Sequence, residues 1–173
     1  GKLYIGKNGI LGALKEELID VNNENTKELD LLKYTPGGAF GSCRLKLKDF
    51  KKSKKDFERI YDVFKAHNIR YFLYNGGGDS QDTTNKISKY FSNQKYPLVC
   101  LGLPKTIDND LPVTYTCPGF GSVAKYIATS TLEASLDVMS MSQTSTKVFI
   151  LEVMGRHSGW LAASSGVIKS NQS

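Results

Sequence analysis

The stretch LGLPKTIDND, Leu101 to Asp110, sets two carboxylates, Asp108 and Asp110, one residue apart behind an apolar run, with Lys105 close by. If the segment is extended, that alternate spacing turns both carboxylates to the same side. One could then act as a base and the other as a metal ligand or orienter. A second reading is local, with Asn109 and Asp110 forming an Asx-turn on their own backbone ahead of Leu111 and Pro112. The motif alone leaves both open. Two further turns carry reactive residue types. GGGDS offers Gly76, Gly77 and Gly78, where the absence of Cβ atoms admits a ligand close to the backbone, and Asp79 or Ser80 to cap the next helix. Amide groups there suit a phosphate, but the charge of Asp79 opposes one unless a metal ion lies between them. MGRHSGW offers the flexible Gly155, the planar cation Arg156, which matches a phosphate in shape, and His157, whose ordinary pKa suits proton transfer. Against these stand plainer roles: a tight turn, a solvated arginine and a structural histidine.

The elements that must position these turns are three apolar, β-rich runs, RYFLYN (70–75), PLVCLG (97–102) and KVFILEV (147–153). Helical spacing precedes the first, at Phe57, Ile60, Tyr61 and Phe64, and the third, at Val123, Ile127, Leu132 and Leu136. Alternating strands and helices predict an α/β fold, a doubly wound, mostly parallel sheet of buried strands with helices on both faces. Earlier in the chain KLYIG reads as another strand, NGILGAL as a short loop or helix, and YTPGGAFGSCR as an irregular, glycine-rich segment. The chain reads as starting in mid-fold, and VIKSNQS follows a helical stretch without a closing strand. A fragment of a longer protein is expected. In open α/β sheets ligands bind beyond the carboxyl ends of the strands, so one edge would gather glycine amides, carboxylates, Lys105 and Arg156. That inventory suits phosphoryl transfer, which needs cations on the moving group, a carboxylate for Mg²⁺ and a base for the accepting hydroxyl.

Composition bounds the choice. A chain of 173 residues, 40% hydrophobic, can bury one core and suits one domain. No apolar run approaches the roughly 20 residues that span a bilayer, and the start lacks a signal-peptide layout. No membrane role is expected, and the setting is expected to be cytoplasmic. Cys43, Cys100 and Cys117 lack metal-ligand spacing and are expected as free thiols, Cys100 packing as a small hydrophobe. The net charge is +6, but KDFKKSKKDF holds many of the lysines without interleaved aromatics. It reads as a solvated helix start, not a nucleic-acid surface. A mild positive field suits small anions such as sugar phosphates.

Taken in order, GGGDS, PKTIDND, PGFGSVAKY and EVMGRHSGW, with GGAFGSCR upstream, resemble the phosphofructokinase family through nearly the whole chain, and within it the pyrophosphate-dependent branch. The resemblance implies transfer of a phosphoryl group from pyrophosphate to the 1-hydroxyl of fructose 6-phosphate, with Mg²⁺, by a homo-oligomer. It implies that residues 1–173 form the donor- and substrate-binding α/β lobe without its first strand and second lobe, so that this stretch alone is inactive. Asp108 matches the general base, with Thr106, Ile107 and Asp110 around it. Met154, Gly155 and Arg156 match the sugar-phosphate loop, and Arg44 matches a cation near the transferring group. Gly76, Gly77, Gly78 and Ser80 match the donor turn. The branch rests on Asp79, which would exclude ATP from the space of its α-phosphate, and on Lys105, which would stabilise the pyrophosphate transition state. Two positions depart from the family. Gly78 stands where it usually has an aspartate or asparagine for Mg²⁺, leaving Asp79 as the substitute ligand. Lys147 replaces an arginine that reaches a neighbouring subunit's sugar phosphate, keeping the charge but not the fork. The competing readings are an ATP-dependent 6-phosphofructokinase, against which Asp79 and Lys105 argue, and a noncatalytic regulatory subunit, against which Asp108 and Asp110 argue.

Overall fold

The computed structural model describes residues 1–167; the expectation about the end of the chain falls largely on residues outside them. The chain divides into two compact units, Gly1–Tyr74 with Asp79–Leu103, and Asn75–Gly78 with the residues from Pro104 onward.

In the first unit, β1 (Tyr4–Gly6) pairs antiparallel with β2 (Leu18–Asp20), Tyr4 opposite Asp20 and Gly6 opposite Leu18, and α1 (Ile10–Lys15) connects them. Gly12 is required there, because a Cβ would overlap the backbone of Gly6 and Lys7. A short helix, α2 (Thr26–Leu31), follows, with Asn25 Oδ1 accepting the Lys27 N–H at 2.8 Å as its cap. Past Tyr34, which ends a short 3₁₀ turn (Leu32–Tyr34), YTPGGAFGSCR forms no regular element, as expected. The lysine run is a solvated helix start: Lys51, Lys52, Lys54 and Lys55 are exposed, and α3 (Lys54–Ala66) buries Phe57, Ile60, Val63 and Phe64 along one stripe.

After α3 come β3 (Tyr71–Gly76), α4 (Gly78–Asn93) and β4 (Val99–Pro104). The Val99 N–H donates to the Arg70 carbonyl at 2.8 Å and the Lys105 N–H to that of Gly76 at 3.0 Å. Both rungs join residues the same distance apart in sequence, so the strands run parallel, with α4 as their crossover. Phe72, Tyr74, Leu98 and Cys100 pack against the core built from Ile10, Ala13, Leu47, Ile87, Phe91 and the α3 stripe. The sequence predicts buried strands, but Tyr71, Leu73, Val99 and Leu101 are exposed. Successive side chains of a strand point to opposite faces, and the helices of this unit pack on the face that carries Phe72 and Tyr74. Burial raises the pKa of the Cys100 thiol. All three cysteines are free. β2 was not anticipated, since three residues are too few to show a period.

The second unit contains α5 (Phe120–Met141) and α6 (Trp160–Ser164), which pack together and bury Ile127, Ala128, Leu161 and Ser164. Here the third expected strand does not form. Lys147–Val153 has no ladder partner among the described residues, and Val148 and Ile150 are 71% and 86% exposed. An apolar, β-branched run becomes a strand only where a neighbour meets its N–H and C=O groups. No helix is long and apolar enough to cross a membrane among the described residues.

Phe91 is fully buried in a ring cluster with Tyr61, Phe64 and Tyr96, at centroid distances of 5.4–5.5 Å, so its truncation removes contacts on several sides at once. Phe91→Ala is expected to cost about 3–5 kcal/mol. A shifted urea midpoint would reveal this, and a shift below ~1 kcal/mol would mean that the site collapses around the gap.

Candidate functional site

The second unit brings two of the three reactive turns directly together and connects them to the third. The Lys105 N–H on the Gly76 carbonyl fixes the glycine turn beside the start of PKTIDND. Neither Gly77 nor Gly78 has a positive φ. A Cβ would meet only the Lys105 carbonyl at 3.7 Å in the first case and nothing within 4 Å in the second. The protein itself therefore demands no glycine at these two positions, which leaves open space against the backbone.

Within TIDND the loop is held by its own side chains. Thr106 Oγ1 accepts the Asp108 N–H at 3.2 Å. Asn109, in the left-handed region at φ 53, accepts the Cys117 N–H on Oδ1 at 2.8 Å and donates from Nδ2 to the Tyr115 carbonyl at 3.4 Å. Asn109 thus braces the segment before α5 and does not close an Asx-turn on its immediate neighbours. Ile107 reaches the same segment, where a Cβ on Gly119 would lie 3.3 Å from it. From MGRHSGW, Ser158 Oγ donates to the Asp108 carbonyl at 2.6 Å, linking turns fifty residues apart. Gly155 permits that turn. At φ 101 its backbone lies where L side chains are strained, and a Cβ would come within 2.7 Å of the Ser158 carbonyl.

These contacts occupy the main chain of Asp108 and leave its carboxylate. Asp108 Oδ1 is buried, and it and Thr83 Oγ1 are the buried side-chain atoms without a hydrogen-bond partner among the described residues. Native structures pair nearly all buried polar atoms, so an orphan calls for a reason. Lys105, Asp110, Met154, Arg156, His157 and Lys147 are exposed in this unit, where charged groups can meet a ligand from solvent.

The first unit holds Arg44, Asp79 and Ser80. α4 begins at Gly78, so Asp79 and Ser80 lie inside its first turn and do not cap it. A carboxylate there is favoured by the helix dipole. The Tyr74 hydroxyl hydrogen-bonds the Ser80 side chain, while burial raises the Tyr74 pKa. Arg44 is exposed. Asp79 Oδ1 accepts a hydrogen bond from Lys46 Nζ at 2.7 Å, and that bond raises the lysine's pKa.

Sequence reasoning missed Lys46, Ser158 and the bracing role of Asn109. Ser158 and Asn109 lay in motifs already singled out. Lys46 was signalled only by the alternation in LKLKD, which sends Leu47 into the core and Lys46 outward.

Among the described residues no three His, Cys, Asp or Glu side chains come together as a cation cage. Asp79 would share its carboxylate with Lys46. Such a donor set fits Mg²⁺ only as an ion that arrives with its ligand, since Mg²⁺ keeps several waters and takes one or two carboxylates alongside phosphate oxygens.

Comparison with known proteins fits this arrangement. The pyrophosphate–fructose 6-phosphate 1-phosphotransferase of Halomonas elongata is 63% identical over 163 residues, covering 94% of this chain and 39% of the relative. The crystal structure of the pyrophosphate-dependent phosphofructokinase from Marinobacter aquaeolei superposes with a TM-score of 0.86 at 62% identity, over 98% of this chain and 41% of that one. The corresponding enzyme from Nitrosospira multiformis gives 0.90 at 58%, over 99% and 42%. These likenesses bear out the α/β fold class. The chain spans about two fifths of the length of the curated relatives it matches. The family model described as phosphofructokinase matches residues 1–172, and the chain belongs to the phosphofructokinase family.

Proposed function

We propose that the whole protein transfers a phosphoryl group from pyrophosphate to the 1-hydroxyl of fructose 6-phosphate, and that residues 1–173 are its donor- and substrate-binding lobe. The observation that carries this reading is Asp108: its main chain is held by Thr106 and Ser158, while Oδ1 is buried with no partner among the described residues. An acceptor kept in that state is suited to a substrate hydroxyl whose proton it takes as general base. Thr106, Ile107 and Asp110 frame it. Met154, Gly155 and Arg156 take the sugar phosphate, with Arg44 and Lys147 as further cations, the latter acting in a homo-oligomer. Gly76, Gly77, Gly78 and Ser80 form the donor turn, and the open space at Gly77 and Gly78 supports close approach of a phosphate to the backbone. Mg²⁺ accompanies pyrophosphate in this reading, with Asp79 to hold it; when bound, the ion neutralises charge on the phosphate oxygens. A cytoplasmic setting is part of this reading.

Pyrophosphate is favoured over ATP as donor because relatives 57–63% identical carry the pyrophosphate name, and because Asp79 and Lys105 are the two positions that depart from the ATP-using pattern. A carboxylate about 4 Å from an α-phosphate costs on the order of 4 kcal/mol at an effective dielectric near 20, roughly a thousandfold in binding. That figure is an upper one, since Lys46 lies on the same carboxylate.

Two experiments on the full-length protein test this. Asp108→Asn should lower kcat by about 10²- to 10⁴-fold while fructose 6-phosphate still binds, as titration calorimetry would register. Wild-type turnover in that variant would remove Asp108 from the mechanism. Changing Asp79 and Lys105 together to glycine should admit ATP and weaken pyrophosphate turnover, by relieving the block and removing a cation from the transferring group. A double variant that ignores ATP and keeps its pyrophosphate rate would leave the donor assignment without a physical basis.

A further inference from the structure

A carboxylate in the first turn of a helix that begins at a phosphate-suited glycine turn poses an electrostatic problem: it repels the anion the turn would attract. The first unit answers it with a lysine. Lys46 Nζ lies 2.7 Å from Asp79 Oδ1, thirty-three residues away in sequence. The backbone next to Lys46 is anchored by contacts independent of Asp79. The neighbouring Leu47 is 1% exposed in the core, and the Leu47 carbonyl accepts a hydrogen bond from Lys86 Nζ of α4 at 3.2 Å. Lys86 also pairs with Asp82 at 2.7 Å and with Asp49 at 3.6 Å. The segment carrying Lys46 is thereby strapped to α4, the helix whose first turn bears Asp79. The Lys46 and Asp79 side chains are 59% and 69% exposed. A pair so exposed adds little to stability, so its placement is better explained by what the two groups present to solvent and ligand.

We propose that Lys46 is a positioning residue that determines donor specificity: it holds the Asp79 carboxylate in place and offsets its charge, so that Asp79 excludes a nucleotide by occupying space without repelling pyrophosphate. This inference rests on the reading of Asp79 as the donor-selecting residue. It assigns Lys46 an action through Asp79, not a direct contact with the donor. The lysine is a cation beside Asp79 where an anionic donor would bind, sharing that carboxylate with the Mg²⁺ that arrives with pyrophosphate. A nucleotide remains excluded because offsetting charge does not remove the volume of the carboxylate.

A charge cycle in the full-length enzyme tests this, with Lys46→Met, Lys46→Arg, Asp79→Asn and the Lys46→Met/Asp79→Asn pair assayed for pyrophosphate and fructose 6-phosphate kinetics. Lys54→Met, which breaks the exposed Lys54–Glu58 pair at 3.6 Å, controls for loss of one surface charge. Lys46→Met should raise the pyrophosphate KM about tenfold, equivalent to ~1.4 kcal/mol, and leave the fructose 6-phosphate KM and the melting temperature unchanged. Lys46→Arg should restore the pyrophosphate KM. With Asp79→Asn already in place, Lys46→Met should change that KM by less than about twofold, because the charge it offsets is gone. An unchanged pyrophosphate KM in Lys46→Met, or an equal rise with and without the Asp79 charge, would overturn the proposal, the latter by showing that Lys46 acts on the donor directly. A wild-type enzyme without pyrophosphate-dependent turnover would instead overturn the proposed function, and this inference with it.

Discussion

The parallel pairing of β3 with β4 is the constraint on which the rest depends. Parallel strands leave their ladder at the same edge, so the glycine turn after β3 and the TIDND loop after β4 emerge side by side. The Lys105 N–H on the Gly76 carbonyl is the rung nearest that edge. The register is in turn set by the core. Phe72, Tyr74, Leu98 and Cys100 face the stripes of α3 and α4, and a slip of one residue would turn a strand's whole set outward. Burial of ordinary apolar side chains thus fixes which carbonyl meets Lys105, and with it the start of the loop that carries Asp108.

From that edge onward the loops are held by main-chain and amide contacts that leave the ionisable groups unspent. Thr106 and Ser158 bind the backbone of Asp108, and Asn109 binds the backbone at Cys117 and Tyr115. Asn109 suits its left-handed conformation because asparagine tolerates that region better than most residues. A buried acceptor left without a partner typically costs about 1–3 kcal/mol. The loop bears this cost at Asp108 Oδ1, and its surrounding hydrogen bonds hold the residue in that state.

What was legible in the sequence follows from the range of the physics involved. β3, β4 and α3 were readable because their apolar periods are local and their partners lie within the same stretch of chain. KVFILEV has the same composition but no ladder partner among the described residues, and propensity cannot supply one. β2 is too short to carry a period at all. At the site, Asp108, Lys105 and Gly155 were legible because glycine, proline and paired carboxylates mark turns by type. Ser158 was legible only as part of MGRHSGW, since nothing local says that its hydroxyl meets a carbonyl fifty residues back. Lys46 was hidden among twenty-three lysines and arginines, where residue type alone cannot distinguish a placed cation from a solvated one.

The same point governs how the charge of the protein is to be understood. A net charge of +6 describes the far field, and ions screen that field beyond a Debye length of about 8 Å. A ligand at contact distance meets local pairs instead. Along the first turns of α4, Asp79 is matched by Lys46, and Asp82 by Lys86, so a surface with two acids presents almost no net charge there. In the second unit Lys105 and Arg156 are exposed near the strand ends and the Asp108 loop. The sign of the potential at each place is therefore set by the fold's pairing of charges, and the excess of lysine over acid contributes chiefly to steering anions toward the molecule.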